Sequence, residues 1–420
     1  MTSEIKQRIE QIRRGEVPER YVKTALGLAP ANWKRYTFGD IYTERKEPGD
    51  ENLPLLMVSI HSGVSDGEVD AAELPKQVKR IEDKSQYKKA VSGDLVFNMM
   101  RAWQGAIGAV RTTGMVSPAY IVAEPNDKAY PLFMDYYSRT PQMINQIDRQ
   151  SYGVTDFRKR LYWDSFAPIS CTLPPIEEQQ KIAAILTTQD KVIKLKEKRL
   201  AEKQRQKKYL MQQLLTGKKR LSGFNGTWEK EKLGKCASMC SGGTPDTKNE
   251  KYYGNDYIWI SIKDMTSAGK YICSSERGLT EAGLLNCSAR LFPKGTILFA
   301  MYASIGECSI AETECCSSQA ILGIEPDSKL NNEFLYYLLS NSKGYFKSFG
   351  QASSQPNLNK GIVQSIVVQI PEIEEQAAIA EVLSTADREI ELLQQDIEQE
   401  KQKKKALMQL LLTGIVRVKI

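Results

Sequence analysis

The sequence predicts an α+β protein made of two related mixed domains, each followed by one long helix. Three observations carry this prediction: a tandem repeat, short strand-like runs separated by Gly, Pro, Asn and Asp, and apolar residues at helical spacing after a proline. A chain of 420 residues is long enough for two or three domains that each bury a core. We expect a lead-in at 1–30, domains at 31–172 and 218–369, and long helices at 173–217 and 370–420.

The lead-in is predicted to form a short amphipathic helix. Ile5, Ile9 and Ile12 recur at helical spacing among charged residues, and no apolar signal-peptide segment precedes them. No apolar run approaches the roughly 18 residues that a membrane span needs. With 41% hydrophobic and 26% charged residues, the composition is typical of a soluble globular protein. We therefore expect a cytoplasmic location.

The two globular segments repeat each other loosely. "NWKRYTFGDI" at 32–41 is echoed by "TWEKEKLGKC" at 227–236, and "GDLVFNMM" at 93–100 by "GTILFAMY" at 295–302. The offset between copies changes along the chain, as insertions and deletions in loops would cause. Each copy then has one helical stretch and a last strand that leads into a proline. These patterns predict two domains with the same mixed fold.

The predicted long helices repeat without a gap. Residues 173–217 align with 370–414 at a constant offset of 197, and 21 of the 45 positions are identical. Pro174 and Pro371 end the preceding strands, acidic residues follow at the positive end of each helix, and Gly217 and Gly414 end the repeat. A helix of about 40 residues is about 60 Å long at about 1.5 Å per residue. Each copy is therefore predicted to be one helix longer than a usual core helix.

Both helices carry a narrow apolar stripe that calls for a partner helix. Residues 191–208 contain nine Lys and Arg against two Glu, whereas 388–405 contain five basic and five acidic residues. Because the two segments differ in charge, pairing of the first helix with the second is favoured over pairing of the first with a copy of itself. The alternative is that these charges only keep long exposed faces soluble.

Catalytic signatures are missing from the sequence. No Gly-x-Gly occurs, so glycine loops for dinucleotides or S-adenosylmethionine are excluded, and no Gly-Lys pair belongs to a phosphate-binding loop. His61 is the single histidine, and the eight cysteines follow no Cys-x-x-Cys spacing, so we expect free thiols and no metal site. A net charge of +7 suits an acidic partner such as nucleic acid. Twofold repetition, basic charge and no catalytic motif together indicate a binding protein with two equivalent surfaces.

Several blocks identify a family by resemblance. The "PPIEEQ" helix start, "GGTPDTKNEKYYGNDYIWISIKDM" at 242–265, "FPKGTILFAMYASIG" at 292–306, and "NMMRAWQGAIGAV" with "VSPAYIV" in the first half resemble the specificity (S) subunit of type I restriction-modification enzymes. The resemblance covers essentially the whole chain.

This resemblance implies a non-catalytic subunit that reads DNA. Two target-recognition domains would each read half of an asymmetric bipartite site in double-stranded DNA, and the long helices would form an antiparallel coiled coil that spaces the domains. The coiled coil would also dock two methyltransferase (M) subunits, and restriction/motor (R) subunits would complete the complex. S-adenosylmethionine, ATP and Mg are expected in those partners, and no cofactor, metal or catalytic residue is expected in this chain.

Candidate DNA-binding residues lie in loops beside the predicted strand ends. They are Ser59, His61, Ser62, Arg101, Trp103, Gln104, Tyr152, Asp156, Arg158 and Lys159 in the first half, and Lys263, Asp264, Tyr302, Ser304, Gln319, Gln351, Ser353, Ser354, Gln355, Asn357 and Lys360 in the second. Arg101, Trp103 and Gln104 are the strongest, because Arg and Gln have the bidentate geometry for guanine and adenine. The alternative for each residue is a loop-capping or solvent-facing role, and Trp103 has the alternative of a core position.

Candidate partner-binding residues lie near the start of each long helix. They are Ile176, Gln179, Ile182 and Leu186 in the first helix, and Ile373, Gln376, Ile379 and Leu383 in the second. Two other functions compete with DNA recognition. One is a coiled-coil scaffold that bridges proteins without reading DNA, and the other is a nuclease or methyltransferase that acts alone.

Overall fold

The computed structural model describes residues 3–24, 27–60, 63–65, 86–155, 158–346 and 358–418. The chain forms two compact units. The first contains residues 1–196 and 396–420, and the second contains residues 197–395. The boundaries of both units fall inside the long helices, so each unit holds one α+β domain together with part of each long helix.

The first unit is built from twelve described strands and the helices around them. The strands are β1 (Tyr21–Thr24), β2 (Gly27–Pro30), β3 (Lys34–Thr37), β4 (Tyr42–Arg45), β5 (Val58–Ser59), β6 (Gly63–Val64), β7 (Lys88–Ala90), β8 (Leu95–Asn98), β9 (Ile107–Ala109), β10 (Gly114–Val116), β11 (Tyr120–Pro125) and β12 (Ser170–Leu173). The helices are α1 (Ser3–Arg13), α2 (Phe38–Ile41), α3 (Pro131–Tyr137), α4 (Pro141–Arg149), α5 (Trp163–Phe166) and α6 (Ile176–Leu214), of which α6 continues into the second unit.

The main sheet of the first unit has the strand order β4-β11-β8-β9, and all its pairs are antiparallel. Its core includes Phe38, Phe97 and Phe166, whose side chains are fully buried. The ring of Phe166 lies 4.3 Å from that of Phe38 and 4.6 Å from that of Phe97, measured between centroids. Burial of each phenyl ring contributes about 1.5–3 kcal/mol, so this cluster fixes the sheet against the short helices α2 and α5.

The second unit repeats this plan with additions. Its strands are β13 (Glu229–Lys232), β14 (Ala237–Ser241), β15 (Tyr253–Gly254), β16 (Tyr257–Ile260), β17 (Tyr271–Ile272), β18 (Gly278–Leu279), β19 (Ile297–Ala300), β20 (Cys308–Ala311), β21 (Cys316–Ser317), β22 (Ile321–Pro326) and β23 (Val367–Ile370). Its helices are α7 (Leu233–Cys236), α8 (Ile262–Ala268), α9 (Glu281–Leu285), α10 (Asn332–Asn341), α11 (Lys360–Ser365) and α12 (Ile373–Leu411), of which α12 continues into the first unit.

The sheets confirm the predicted repeat. The five-stranded sheet of the second unit has the order β14-β22-β19-β20-β17, and its first four strands correspond to β4-β11-β8-β9. Strands β8 and β19 carry the repeated "GDLVFNMM" and "GTILFAMY" segments, and both are buried along their length. In each unit a strand at the start of the domain pairs with the strand that leads into the long helix, β3 with β12 and β13 with β23.

The two long helices have 39 residues each and pair in antiparallel fashion within each unit. In the first unit, Lys196 Nζ lies 2.8 Å from Asp396 Oδ1, and Lys404 Nζ lies 2.6 Å from Asp190 Oδ1. In the second unit, Lys203 Nζ lies 2.6 Å from Glu389 Oε2. These ion pairs confirm that α6 pairs with α12, as the charge distribution predicts. Just beyond each helix, Gly217 and Gly414 have φ values of 68° and 70°, a left-handed conformation that glycine adopts without strain.

All eight cysteines are free thiols, and several are buried. Burial raises the pKa of the Cys171 thiol to about 12, so this side chain behaves as a small apolar core residue. Across the described part of the chain, no three His, Cys, Asp or Glu side chains come close enough to hold a metal ion. Within the same residues, no helix is both long enough and apolar enough to cross a bilayer.

Candidate nucleic-acid interface

The strongest sequence candidates lie on a tight loop after strand β8. Asn98 ends the strand, and its Oδ1 accepts a hydrogen bond of 2.8 Å from the backbone N–H of Met100, which turns the chain. Ala102–Gln104 then form a single 3-10 turn that ends at Gly105, whose φ is 103°. Arg101 and Gln104 are exposed on this turn. The loop therefore presents a guanidinium and an amide to solvent from a fixed backbone.

Trp103 is half-buried and holds the loop together. Its Nε1 donates a hydrogen bond of 3.0 Å to the carbonyl of Met100. The Lys159 ammonium lies 5.0 Å from the centre of the Trp103 ring and forms an ion pair of 2.7 Å with Asp148. A cation over an indole face is attractive by about 0.5–2 kcal/mol. Trp103 and Lys159 thus join two of the predicted segments to each other.

Residues 151–155 and 158–161 run beside this loop. The backbone N–H of Leu161 donates a hydrogen bond of 2.8 Å to the carbonyl of Met99, and Tyr152 pairs with Arg160 through bonds of 2.9 and 2.8 Å. Tyr152 is 63% exposed, and Arg158 is also exposed. The candidate Asp156 lies outside the described residues.

The third predicted segment of the first domain also reaches the loop. Ser59 pairs with Gly63 in the short hairpin of β5 and β6. The carbonyl of the next residue, Ile60, is 3.3 Å from where a Cβ on Gly105 would lie. His61 and Ser62 lie outside the described residues. The structure therefore brings together three segments that are far apart in sequence, and we call the exposed side chains Arg101, Gln104, Tyr152 and Arg158 the first loop surface.

The second domain has a corresponding loop after strand β19. The backbone N–H of Met301 donates a hydrogen bond of 2.9 Å to the carbonyl of Ala320, and the N–H of Leu358 donates one of 3.1 Å to the carbonyl of Met301. The loop thus lies beside Gln319, which is exposed, and close to the start of helix α11.

Three further candidates complete this second group. Tyr302 is 37% exposed, Ser304 is half-buried, and Lys360 is exposed as the first residue of α11. We call Tyr302, Gln319 and Lys360 the second loop surface. The remaining candidates of this segment, Gln351, Ser353, Ser354, Gln355 and Asn357, lie outside the described residues.

Lys263 and Asp264 have local partners. The Asp264 carboxylate accepts bonds of 2.9 Å from the N–H of Ser261, 2.6 Å from its hydroxyl and 2.9 Å from the N–H of Glu276, so it caps helix α8. Burial alone would raise the pKa of Asp264, but these hydrogen bonds bring it below its ordinary value. Lys263 lies 2.5 Å from Glu276, and this contact raises the pKa of Lys263. Their predicted contacts with DNA stay predictions, with this pairing as the alternative.

Most of the predicted partner-binding residues are buried inside their own units. Six of the eight side chains are no more than 1% exposed, namely Gln179, Ile182, Leu186, Gln376, Ile379 and Leu383. The apolar members pack into the core of the adjoining domain. The interpretation of these six as a docking face is therefore corrected, because the apolar stripe is covered by the chain's own domain. Ile176 is half-buried and Ile373 is 37% exposed.

Gln179 and Gln376 instead attach each long helix to its domain. Gln179 Oε1 accepts a bond of 2.8 Å from the N–H of Tyr130, and its Nε2 donates bonds of 2.9 Å to the carbonyls of Lys128 and Pro174. Gln376 makes the equivalent three bonds, each of 2.8 Å, with Asn331, Lys329 and Pro371. A buried amide whose partners are all present orients the helix on the domain.

Sequence reasoning missed a second attachment beside these glutamines. Glu178 and Glu375 are buried, and they accept paired hydrogen bonds from Arg417 and Arg220 respectively. Trp33 donates an indole hydrogen bond to Glu178, and Trp228 donates one to Glu375. Arg220 and Arg417 are also 197 residues apart, so a search for identical residues at the repeat offset could have found these two arginines.

Comparison with known proteins places this chain in a family. The model of the type I restriction modification DNA specificity domain matches residues 76–204 and 225–402, which is more than half of the chain. The putative type I restriction enzyme MjaX specificity subunit of Methanocaldococcus jannaschii is 25% identical over 96% of this chain and 97% of its own length. The MjaIX specificity subunit of the same organism is 36% identical over a stretch that covers 39% of each chain.

Solved structures support the fold. The crystal structure of the HsdS subunit from Thermoanaerobacter tengcongensis superposes with a TM-score of 0.51 over 92% of this chain and 98% of that chain, at 18% identity. The predicted fold class, two α+β domains with two long antiparallel helices, is confirmed. The predicted domain boundaries stay predictions.

Proposed function

The chain belongs to the family of type I restriction-modification DNA specificity proteins, and from this premise we propose that it reads an asymmetric bipartite site in double-stranded DNA. Each α+β domain reads one half-site. Methylation and cleavage belong to partner subunits, which bring S-adenosylmethionine, ATP and Mg, and this chain supplies the sequence preference. We also propose that the chain works in the cytoplasm, where the DNA is.

The exposed residues of the first loop surface give the main support for this proposal. Arg101 and Gln104 are exposed within one turn of each other, on a loop whose backbone is held by Asn98, Trp103 and the neighbouring segment. Arg pairs in bidentate fashion with guanine and Gln with adenine in the major groove. Arg158 adds a cation for a phosphate, and such contacts set the register of a protein on DNA. A reading surface needs this combination of base-reading and phosphate-binding groups.

The second loop surface has different chemistry, which supports an asymmetric site. Where the first loop carries Arg101 and Gln104, the second loop presents Tyr302, with Gln319 and Lys360 beside it. Two surfaces with different donors and acceptors select different bases. The two half-sites are therefore expected to differ, although the domains share one fold.

The long helices set the distance between the half-sites. A helix of 39 residues is about 58 Å long at about 1.5 Å per residue. One turn of DNA spans about 34 Å, so a pair of such helices can space two reading surfaces by roughly a helical turn. The unread gap then depends on the helix length and not on the loops.

We place the docking of methyltransferase subunits on the outer face of the long helices. Leu195 and Leu392 are 67% and 59% exposed, and they are equivalent residues at the repeat offset of 197. Two equivalent apolar side chains provide one contact for each of two identical subunits. Leu195→Glu and Leu392→Glu should each reduce the amount of methyltransferase that copurifies with the chain. If the double variant copurifies with as much methyltransferase as the unsubstituted chain does, the docking face lies elsewhere.

Methylation mapping tests the proposed function. The chain is co-expressed with a methyltransferase subunit from the same system, and modified adenines are mapped along the host DNA, with the methyltransferase alone as the control. We expect one asymmetric bipartite motif that appears only when the chain is present. Unmodified DNA, or the same motif without the chain, would contradict the proposal. A scaffold that does not read DNA would leave the methylation pattern unchanged.

A further inference from the structure

Each domain is attached to the helix pair by an equivalent group of three polar side chains. We propose that these groups, Tyr136–Asp190–Lys404 in the first unit and Tyr337–Asp387–Lys207 in the second, fix the angle of the reading domain on the helices and thereby restrict the gap to one length. We call them the first and second latch. This inference rests on the proposed function, because a gap exists only where two half-sites are read.

The first latch joins three elements through one carboxylate. Tyr136 on α3 is 1% exposed, and its hydroxyl donates a hydrogen bond of 2.6 Å to Oδ2 of Asp190 on α6. Lys404 on α12 lies 2.6 Å from the other oxygen of Asp190, and its ammonium is 5.5 Å from the centre of the Tyr136 ring. The domain helix and both long helices therefore meet at Asp190.

The second latch has the same geometry. The hydroxyl of Tyr337 on α10 donates a hydrogen bond of 2.6 Å to Oδ2 of Asp387 on α12. Lys207 on α6 forms an ion pair with Oδ1 of Asp387 and lies 5.6 Å from the centre of the Tyr337 ring. In this unit Lys270 also donates a bond of 2.8 Å to the Tyr337 hydroxyl, so the second latch has one additional partner.

The charged residues of the two latches are identical in both repeats, unlike other charged residues that pair the long helices. Asp190 and Asp387 are equivalent at the offset of 197, and so are Lys207 and Lys404. Nearby ion-pair positions differ, because Lys196 corresponds to Leu393 and Glu400 to Lys203. These charges, which only pair one long helix with the other, therefore differ between the two copies. The two charges that also contact a domain tyrosine are the same in both.

The hydrogen bond from the latch tyrosine to the latch aspartate is directional, so it can fix the angle of the domain on the long helices, which apolar packing alone does not fix. Ile182 and Leu186 pack the helix against the first domain, but apolar contacts are not directional and tolerate small rotations. A charge-assisted hydrogen bond is short and directional. One base pair rises about 3.4 Å along DNA, so a rotation that moves a reading loop by that distance admits a gap one base pair longer or shorter.

The test measures methylation of duplexes that differ only in the gap. The complex with its methyltransferase is given both half-sites of the mapped motif, with gaps from two base pairs shorter to two longer. Tyr136→Phe and Tyr337→Phe remove one hydroxyl each. We expect both variants to methylate the neighbouring gaps roughly tenfold more, relative to the preferred gap, than the unsubstituted chain does, since about one charge-assisted bond is lost. The bases required in each half-site should not change.

Tyr137→Phe is the matched control. Tyr137 is buried beside Tyr136, but its hydroxyl accepts a bond of 3.0 Å from the N–H of Thr172 within the domain and does not involve Asp190. It should leave the gap preference unchanged. Lys404→Met is a further variant of the first latch, because it keeps the Tyr136–Asp190 bond and removes the ammonium. It should relax the gap preference in the same direction.

Two outcomes separate the latch from the proposed function. If Tyr136→Phe and Tyr337→Phe lower methylation at every gap by one common factor, as a general loss of stability would, the latch inference is wrong while DNA recognition stands. If the unsubstituted chain directs no bipartite methylation at all, the proposed function is wrong.

Discussion

Arg417 donates paired hydrogen bonds of 2.7 Å to the Glu178 carboxylate, although 239 residues separate the two in sequence. Glu178 is fully buried at the start of helix α6, and Arg417 lies in the segment that follows helix α12. This ion pair closes the first unit by joining the C-terminal segment to the helix start. Arg220 and Glu375 close the second unit with bonds of 2.6 Å.

Loss of Arg417 should destabilise the first unit strongly. Arg417→Met leaves the buried Glu178 carboxylate without its cation, a change that costs about 3–5 kcal/mol. The additional change Glu178→Gln removes the unpaired charge, so the double variant should recover part of that loss. Chemical unfolding measures the free energies. An Arg417→Met variant as stable as the unsubstituted chain would show that the closure contributes nothing.

Acid should weaken the pairing of the long helices through Glu400. Hydrogen bonds from Gln189 and Lys196 lower the pKa of Glu400 to about 2, below its ordinary value of 4.5. A carboxyl with a depressed pKa in the folded state adds stability above its ordinary pKa and loses it as pH falls towards the folded value. Glu400→Gln should therefore flatten the decrease in stability between about pH 4.5 and pH 2.

Unfolding free energies measured across that pH range test the role of Glu400. Glu398→Gln is the control, because Glu398 is an exposed residue of the same helix whose carboxylate accepts a bond from Gln402. The expected result is a flatter curve for Glu400→Gln only. Equal slopes for both variants would argue against a special role for Glu400.

The two loop surfaces should act on separate half-sites. Arg101→Ala removes a bidentate donor, so we expect a loss of about 1–3 kcal/mol in binding and a relaxed base preference at one position of one half-site. Gln319→Ala, in the second domain, should relax the other half-site. Methylation of duplexes with single-base substitutions measures both effects, and each variant is the control for the other. Relaxation of the same half-site by both variants would refute the assignment.

Shortening the helix pair should shorten the gap. Deletion of residues 197–203 together with 391–397 removes about 10 Å from each helix, at about 1.5 Å per residue. This length corresponds to about three base pairs of about 3.4 Å. Methylation mapping should show the same half-sites with a shorter gap. Deletion of either segment alone breaks the pairing register and serves as the control, and changed half-sites with an unchanged gap would contradict the division of roles.

Much of the architecture was predictable from local sequence. The repeat, the proline before each helix and the glycine after it indicated both ends of α6 and the start of α12 to within a few residues, because these signals depend on backbone geometry alone. The predicted segment 370–420 extends nine residues beyond the end of α12 at Leu411. The charge difference between residues 191–208 and 388–405 correctly indicated that the helices pair with each other. Three loop segments of the first domain were selected separately, and the fold brings them together.

Other contacts could not be read from local patterns. Gln179 was predicted as a partner-binding residue of the helix start, but the domain surrounds it and satisfies its amide. The Glu178 carboxylate suited a helix N-terminus by itself, so nothing local required Arg417. Whether an apolar stripe faces a domain or a partner subunit depends on tertiary packing, which spacing along one helix does not specify.

Exchange of one domain tests whether each domain reads its own half-site. Residues 31–172 are replaced by the corresponding domain of another family member whose motif is mapped in parallel, and adenine methylation is then mapped for the hybrid with its methyltransferase. We expect one half-site to become that of the donor, while the other half-site and the gap stay as in the unsubstituted chain. A hybrid in which both half-sites change, or neither changes although the DNA is still methylated, would contradict this expectation.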